Sequence, residues 1–329
     1  MAAMLGAMWA TTLPVFGQLT PERLYNGINR EIPVQVAVPE GKQGEAVIEL
    51  LRPVSAEVVS TASVLPGKVN LATLFPVLWN SKTPTVLYAQ LSVGGEKIGP
   101  ALVLQPLVNP RVASMRQGAN APVFGATGDT YSGLRIYVEK FVVLETDRGE
   151  IQFQLRPDVA PNTAFNFRHL VEGGFYTDVI FHRIVPALAN GHPFVIQVGD
   201  PTGSGRGGPG YMIDLEPSTL PHDFGVLSMA RSGDPNSNGS QVFVCLSREG
   251  TSFLDNSYTT FAQAVSGRDV ILDIAASKLN GERPADPAPR IVSARLIDAP
   301  PFGTGPKPVT REGAANVKSN TPPAEQPAR

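Results

Sequence analysis

Arg183 stands in the run Phe181-His182-Arg183-Ile184-Val185, and Gln197 follows in Phe194-Val195-Ile196-Gln197-Val198-Gly199-Asp200. Arginine is a permanent cation with five donors and no acceptor, so setting it among Phe, Ile and Val is costly without a partner. Such an arginine is either tied into a structural ion pair or held ready for a substrate. Read alone, the segment favours the ion pair. A second stretch runs from Gly225-Val226-Leu227-Ser228-Met229-Ala230-Arg231 to Gly239-Ser240-Gln241-Val242-Phe243-Val244. An apolar strand enters a long polar turn there and another leaves it. By itself that is a β-hairpin with a surface loop.

Other chemistries find little footing. Gly203-Ser204-Gly205-Arg206-Gly207-Gly208 has the spacing of a dinucleotide loop, but such a loop must open a helix, and Pro209-Gly210-Tyr211 does not start one. It reads instead as a tight glycine loop. His169, His182, His192 and His222 show no metal-ligand spacing, and neither a metal nor an organic cofactor is expected. The single cysteine, Cys245, lies in an apolar run and reads as a small buried hydrophobe. No Gly-x-Ser-x-Gly elbow or phosphate-loop lysine motif occurs, so a hydrolase has little support.

The elements that must position these residues read mostly as strands. The 329-residue chain is 42% hydrophobic and 17% charged, with 32 Gly and 31 Pro, which suits a sizeable core built from short strands and turns. A formal net charge of −2 without any Lys/Arg run excludes nucleic acid or an anionic membrane as an expected partner. Met1 to Pro21 carries no charged side chain, and its apolar part is too short to span a bilayer. Residues 1–17 therefore read as a candidate signal peptide lacking a basic n-region. The expected location is periplasmic or secreted, with cytoplasmic as the alternative.

Residues 18–109 carry short apolar runs at near-regular spacing, and Gly94-Gly95 turns one of them into the next. This predicts a small antiparallel β-sandwich. No catalytic cluster appears there, so its expected part is docking an unknown protein. Residues 110–134 read as a linker, 135–298 as a second domain, and 299–329 as a disordered tail. Within the second domain, Phe141–Thr146 and Ile151–Leu155 flank the turn Asp147-Arg148-Gly149. Pro161 opens a helix that Gly173-Gly174 closes, and another helix is expected from Arg268 to Lys278.

In order along the chain, Phe181-His182-Arg183, Phe194-Val195-Ile196-Gln197, Ser228-Met229-Ala230, Asn238-Gly239-Ser240-Gln241-Val242-Phe243 and Phe253-Leu254-Asp255 resemble a cyclophilin-type peptidyl-prolyl cis–trans isomerase of bacterial type. The resemblance covers about Phe141 to Asp298. It implies a mainly β fold, a closed eight-stranded antiparallel β-barrel with two helices. It also implies a cofactor-free enzyme that turns X–Pro bonds in proline-containing polypeptides and assists folding, here of exported proteins. The matched positions carry catalysis to Arg183 and Gln197. They carry substrate binding to Phe194, Val195, Ala230, Arg231, Gln241, Phe243, Phe253, Leu254 and Tyr258.

The departures from the family pattern border the expected groove. Arg231 replaces a commoner Asn, and Phe253 and Tyr258 stand where many eukaryotic members have Trp and His. Ala187 to His192 lengthens the loop between Arg183 and Phe194. The alternative function is a module that binds Pro-containing segments, or acts as a chaperone, with weak or no turnover.

Overall fold

The computed structural model describes residues 17–109, 111–118, 121–125 and 130–312. The expected signal peptide, apart from Gly17, and the tail from 313 onward lie outside the described residues. Period-two alternation organises the first unit: in Ala46–Leu51, Ile48 and Leu50 are fully buried while Val47 and Glu49 are half-buried. Six antiparallel strands lie in the order Tyr25–Gly27, Tyr131–Val138, Glu96–Val108, Leu87–Val93, Ala46–Leu51 and Val58–Val64. A smaller sheet orders Gln18–Pro21, Pro33–Ala37 and Gly67–Asn70. Leu19, Val34 and Val36 of the small sheet share one core with Ile48, Leu91, Leu104 and Ile136 of the large one.

Two boundaries differ from the sequence reading. The expected linker ran to residue 134, but Tyr131–Val138 is a strand of the first sheet, with Leu134 and Ile136 in its core. Its neighbouring glycines and polar residues hide the alternation. Only Glu139 separates this strand from Lys140–Thr146 of the second unit, so one strand passes almost directly into the next. The other correction concerns the tail, because residues 299–312 are tied down at two points although 303–308 are exposed. Phe302 is buried against Tyr88 with ring centroids 4.5 Å apart. Its N–H donates to Gln90 Oε1 at 2.8 Å, and its carbonyl accepts from Lys97 Nζ at 2.8 Å. Further on, the Val309 N–H donates to the Ala264 carbonyl at 2.9 Å. A Pro-rich composition looks unstructured, yet anchors at Phe302 and Val309 strap this segment across both units.

In the second unit the strand order is Val179–Ile180, Arg290–Asp298, Lys140–Thr146, Gly149–Leu155, Thr260–Ser266, Val226–Met229, Val242–Cys245, Val195–Val198 and Arg183–Val185. Every neighbouring pair is antiparallel. The first and last strands of that order are joined in the chain by Phe181 and His182 alone. They are two halves of one interrupted strand, so the sheet closes on itself as an eight-stranded barrel. Closure leaves no free sheet edge to be managed.

Helices Pro161–Glu172 and Arg268–Ala275 bring Phe167, Leu170, Ile271 and Ile274 into the barrel core. Ala160 offers the first helix no side-chain cap. The buried Glu216 carboxylate supplies it from a distant loop, accepting from the Asn162 and Thr163 N–H groups at 3.1 and 2.7 Å. The second helix stops three residues short of the expected Lys278, because the chain turns into the hairpin Leu279–Asn280/Arg283–Pro284.

Among the described residues no helix is long and apolar enough to cross a membrane. Truncating Phe302 to Ala removes the anchor of the strap and should cost about 3–5 kcal/mol of stability. Denaturant unfolding of Phe302→Ala checks this, and an unchanged midpoint would show that the strap is not anchored there.

Candidate active site

On a closed barrel, alternation sends every second side chain outward. Ile196, Val198, Val242, Val244, Leu227 and Met229 lie in the barrel core. Their neighbours Val195, Gln197, Phe243, Cys245, Val226 and Ser228 therefore take the outer face. Pairing aligns these outward residues in a row. Arg183 is opposite Gln197, Gln197 opposite Phe243, and Phe243 opposite Ser228. With strands about 4.8 Å apart, Arg183 and Phe243 are roughly 10 Å apart at the backbone, with Gln197 between them.

The Arg183 guanidinium is held on two sides. Its Nε donates to Glu282 Oε2 at 2.5 Å, and its Nη1 donates to Gln197 Oε1 at 3.4 Å. Gln197 Nε2 donates to Gln241 Oε1 at 3.0 Å. Gln241 Nε2 in turn donates to the carbonyls of Gly205 and Gly207, at 3.0 and 2.9 Å. Backbone carbonyls can only accept, so they fix the direction of both amides and leave an oxygen facing Arg183.

The glycine loop that presents those carbonyls is wrapped around Asp200, which is fully buried. Its carboxylate accepts from the N–H groups of Thr202 and Gly205 at 2.7 and 2.6 Å and from the Thr202 hydroxyl at 2.8 Å. Burial pushes this carboxyl up, but hydrogen bonds from Gly207, Thr202 and Gly205 outweigh it and hold the group well below the usual carboxylate range. Glycine is required at 207, where a Cβ would lie 2.0 Å from Asp200 Oδ1.

Beyond Gln197 the outer face is apolar. Val195, Val226, Phe243, Cys245 and Leu254 form a buried cluster, edged by Phe194, Leu220, Ala230 and Tyr258. Tyr258 meets Phe243 edge-on at 5.9 Å. Phe253 is 63% exposed and touches the cluster by stacking on Phe194 at 5.8 Å. Arg231 lies over the Tyr258 ring at 4.5 Å and donates from Nε and Nη2 to the Ser257 carbonyl at 3.2 and 3.0 Å. It braces the rim of the cluster, which an Asn would be too short to do. The Ala230 N–H donates to the Gln241 carbonyl at 2.9 Å, tying the two ends of the polar turn. The lengthened loop from Ala187 closes on itself, with the Leu188 N–H donating to the His192 carbonyl at 2.8 Å.

Arg183, Gln197 and Gln241 thus form one polar network. Phe194, Val195, Ala230, Phe243, Leu254 and Tyr258 form the adjacent cluster, with Phe253 and Arg231 at its rim. Sequence reasoning missed three residues that support this face. Glu282 is far away in the chain and has no local signal. Asp200 was signalled by the Thr, Ser and Gly residues that follow it at turn spacing. The third is His222, buried behind Phe243 with its ring nearly parallel at a centroid distance of 6.0 Å. Its Nδ1 lies 2.9 Å from Asp255 Oδ1 and its Nε2 3.0 Å from Ser228 Oγ. In the neutral ring, Nδ1–H donates to the carboxylate, and the one Ser228 hydroxyl proton faces two acceptors, Nε2 and the Thr259 carbonyl at 3.1 Å.

The sequence model of the cyclophilin type peptidyl-prolyl cis-trans isomerase/CLD family matches residues 141–296. The chain is 40% identical over 163 residues to peptidyl-prolyl cis-trans isomerase-like 1 of Aspergillus fumigatus, an alignment covering 48% of this chain and 95% of that protein. It is 43% identical over 141 residues to a peptidyl-prolyl cis-trans isomerase of Synechococcus elongatus, covering 43% of this chain and 90% of that one. A crystal structure of a Cryptosporidium parvum cyclophilin type isomerase, obtained in the presence of the dipeptide Ala-Pro, is 29% identical. It matches 48% of this chain and 98% of its own, with a TM-score of 0.44.

Burial depresses His222 below the ordinary imidazole value of 6.5, with Asp255 opposing and Arg248 assisting. Burial raises Asp255, but hydrogen bonds from Arg248 and His222 prevail and bring it down to about 2, so the partner stays ionised throughout the imidazole range. Because the unfolded chain binds the His222 proton more readily than the folded one, this group costs no stability above pH 6.5 and a growing amount as pH falls below it. Thermal midpoints should therefore fall on acidification below pH 6.5, and less steeply in His222→Gln. Parallel pH profiles for the two proteins would contradict the assignment.

Proposed function

The chain belongs to the cyclophilin type peptidyl-prolyl cis-trans isomerases and accelerates rotation about X–Pro bonds, and we propose that the row from Arg183 through Gln197 to the Phe243 cluster is where it does so. The barrier to this rotation is the loss of amide resonance, roughly 18–20 kcal/mol. In the twisted state the proline nitrogen becomes pyramidal and regains a lone pair. A donor aimed at that nitrogen stabilises the twisted state more than either planar state, which is the requirement for catalysis. The Arg183 guanidinium supplies such a donor in a fixed planar fork. The Phe243 and Leu254 walls seat the pyrrolidine ring, and Gln197 and Gln241 offer polar contacts to the flanking peptide.

The observation that carries this reading is the juxtaposition of a partly exposed guanidinium with an apolar cluster one strand beyond Gln197. Its test is a protease-coupled isomerisation assay on a short X–Pro peptide. Arg183→Ala should lose about 10²–10³-fold in turnover, the usual scale for removing one transition-state donor. Full activity in that variant would refute the assignment.

Two further parts of the reading concern the whole chain. The substrates are exported proteins, a view supported by the uncharged, largely apolar stretch from Met1 to Pro21. A mature protein beginning near Gln18, measured by intact mass, is the expected result, and retention of Met1 would count against it. Among the described residues the first unit contributes no side chain to the Arg183 network, which supports its use as a docking module for another protein. Mutations there should leave short-peptide turnover unchanged while slowing isomerisation in whole-protein substrates.

A further inference from the structure

We infer that Glu282 is a positioning residue for the isomerisation, an inference that rests on the catalytic reading of Arg183. Glu282 occupies the turn of the hairpin Leu279–Asn280/Arg283–Pro284, beside Gly281 at φ +66°. Its backbone and side chain grip consecutive residues of one strand. The carbonyl accepts from the Ile184 N–H at 2.8 Å, and the carboxylate accepts from Arg183 Nε at 2.5 Å. The hairpin is itself anchored. Arg283 Nη2 donates to the Gly203 carbonyl at 2.8 Å, and the Ala285 N–H donates to the Lys278 carbonyl at 2.8 Å. The same hairpin therefore touches the arginine strand and the glycine loop that orients the two glutamines.

What the carboxylate takes from the guanidinium matters as much as that it takes it. Nε is bound by Glu282 and Nη1 by Gln197, while Nη2 has no hydrogen-bond partner among the described residues. A free arginine would have to freeze its long side chain as the substrate twists. An arginine fixed at Nε meets the substrate already oriented, with Nη2 available. The pair is open to water, with the two side chains 34% and 29% exposed, so it adds little to fold stability. Its value is geometric, and removing it leaves the barrel intact.

The test is a set of variants assayed for kcat and KM on one short X–Pro peptide, with the Arg183 Nε–H resonance followed by nitrogen-15 NMR. Glu282→Ala should lower kcat about tenfold with KM little changed, at an unaltered thermal midpoint. Its Nε–H should lose protection from exchange. Glu282→Gln, which can still accept from Nε, should recover part of both. In an Arg183→Ala background, Glu282→Ala should have no further effect. Wild-type kcat in Glu282→Ala, or an equal loss with and without Arg183, would overturn the inference. If Arg183→Ala alone keeps wild-type turnover, the catalytic reading itself fails and the inference falls with it. If Arg183→Ala is inactive and Glu282→Ala is not, only the inference fails.

Discussion

A guanidinium that serves a prolyl nitrogen must be held firmly while keeping a donor free. Under the reading proposed for Arg183, the polar network beside it follows from that constraint. The oxygen facing Arg183 Nη1 belongs to Gln197, whose orientation is dictated by Gln241. Gln241 is oriented by two loop carbonyls, and the loop is wound on the buried Asp200 carboxylate. Reversing Gln197 would turn an NH₂ group toward a cation, which can accept nothing, and reversing Gln241 would set NH₂ against NH₂ and oxygen against the loop carbonyls. The polarity of the network is therefore set by the backbone carbonyls of Gly205 and Gly207, neither of which touches the arginine.

The barrel makes this possible by separating two tasks. One face of the strands carrying Gln197 and Phe243 packs the interior, where Ile196, Val198, Val242 and Val244 are almost fully buried. The opposite face is free to carry polar and apolar residues in rows without weakening that core. Interior packing then fixes strand register, and register fixes the spacing of the outward residues. The loops covering the outer face are tied in turn to buried polar groups. Glu216 binds one to a helix N-terminus, and His222 joins Asp255 to Ser228 behind the Phe243 ring.

The sequence made the strand and helix alternation of the second unit legible, because runs such as Phe141–Thr146 and the Pro161 helix start carry strong local signals. The candidate site residues came from an ordered set of short motifs, and the structure gathers them on one face. The choice posed for Arg183, ion pair or substrate donor, was too narrow: it has a carboxylate partner, and among the described residues its Nη2 has none. Glu282 was invisible because pairing between residues 99 apart leaves no trace in local composition. Phe302 was missed for a related reason, since one aromatic anchor in a Pro-rich stretch is too sparse for periodicity to register. The junction at Glu139 was hidden because the alternation of the strand before it is interrupted by Gly133, where the register shifts.

On the proposed reading, the shape of the Arg183 fork, and not its charge alone, lowers the rotation barrier. The measurement that tests it most directly is NMR exchange spectroscopy between the cis and trans forms of an X–Pro peptide, with catalytic amounts of wild-type protein or Arg183→Lys. A lysine keeps the cation but loses the Nε contact to Glu282 and the planar fork. Strong exchange cross-peaks are expected with the wild type, and nearly uncatalysed exchange with Arg183→Lys at similar peptide affinity. Equal exchange in the two proteins would contradict it.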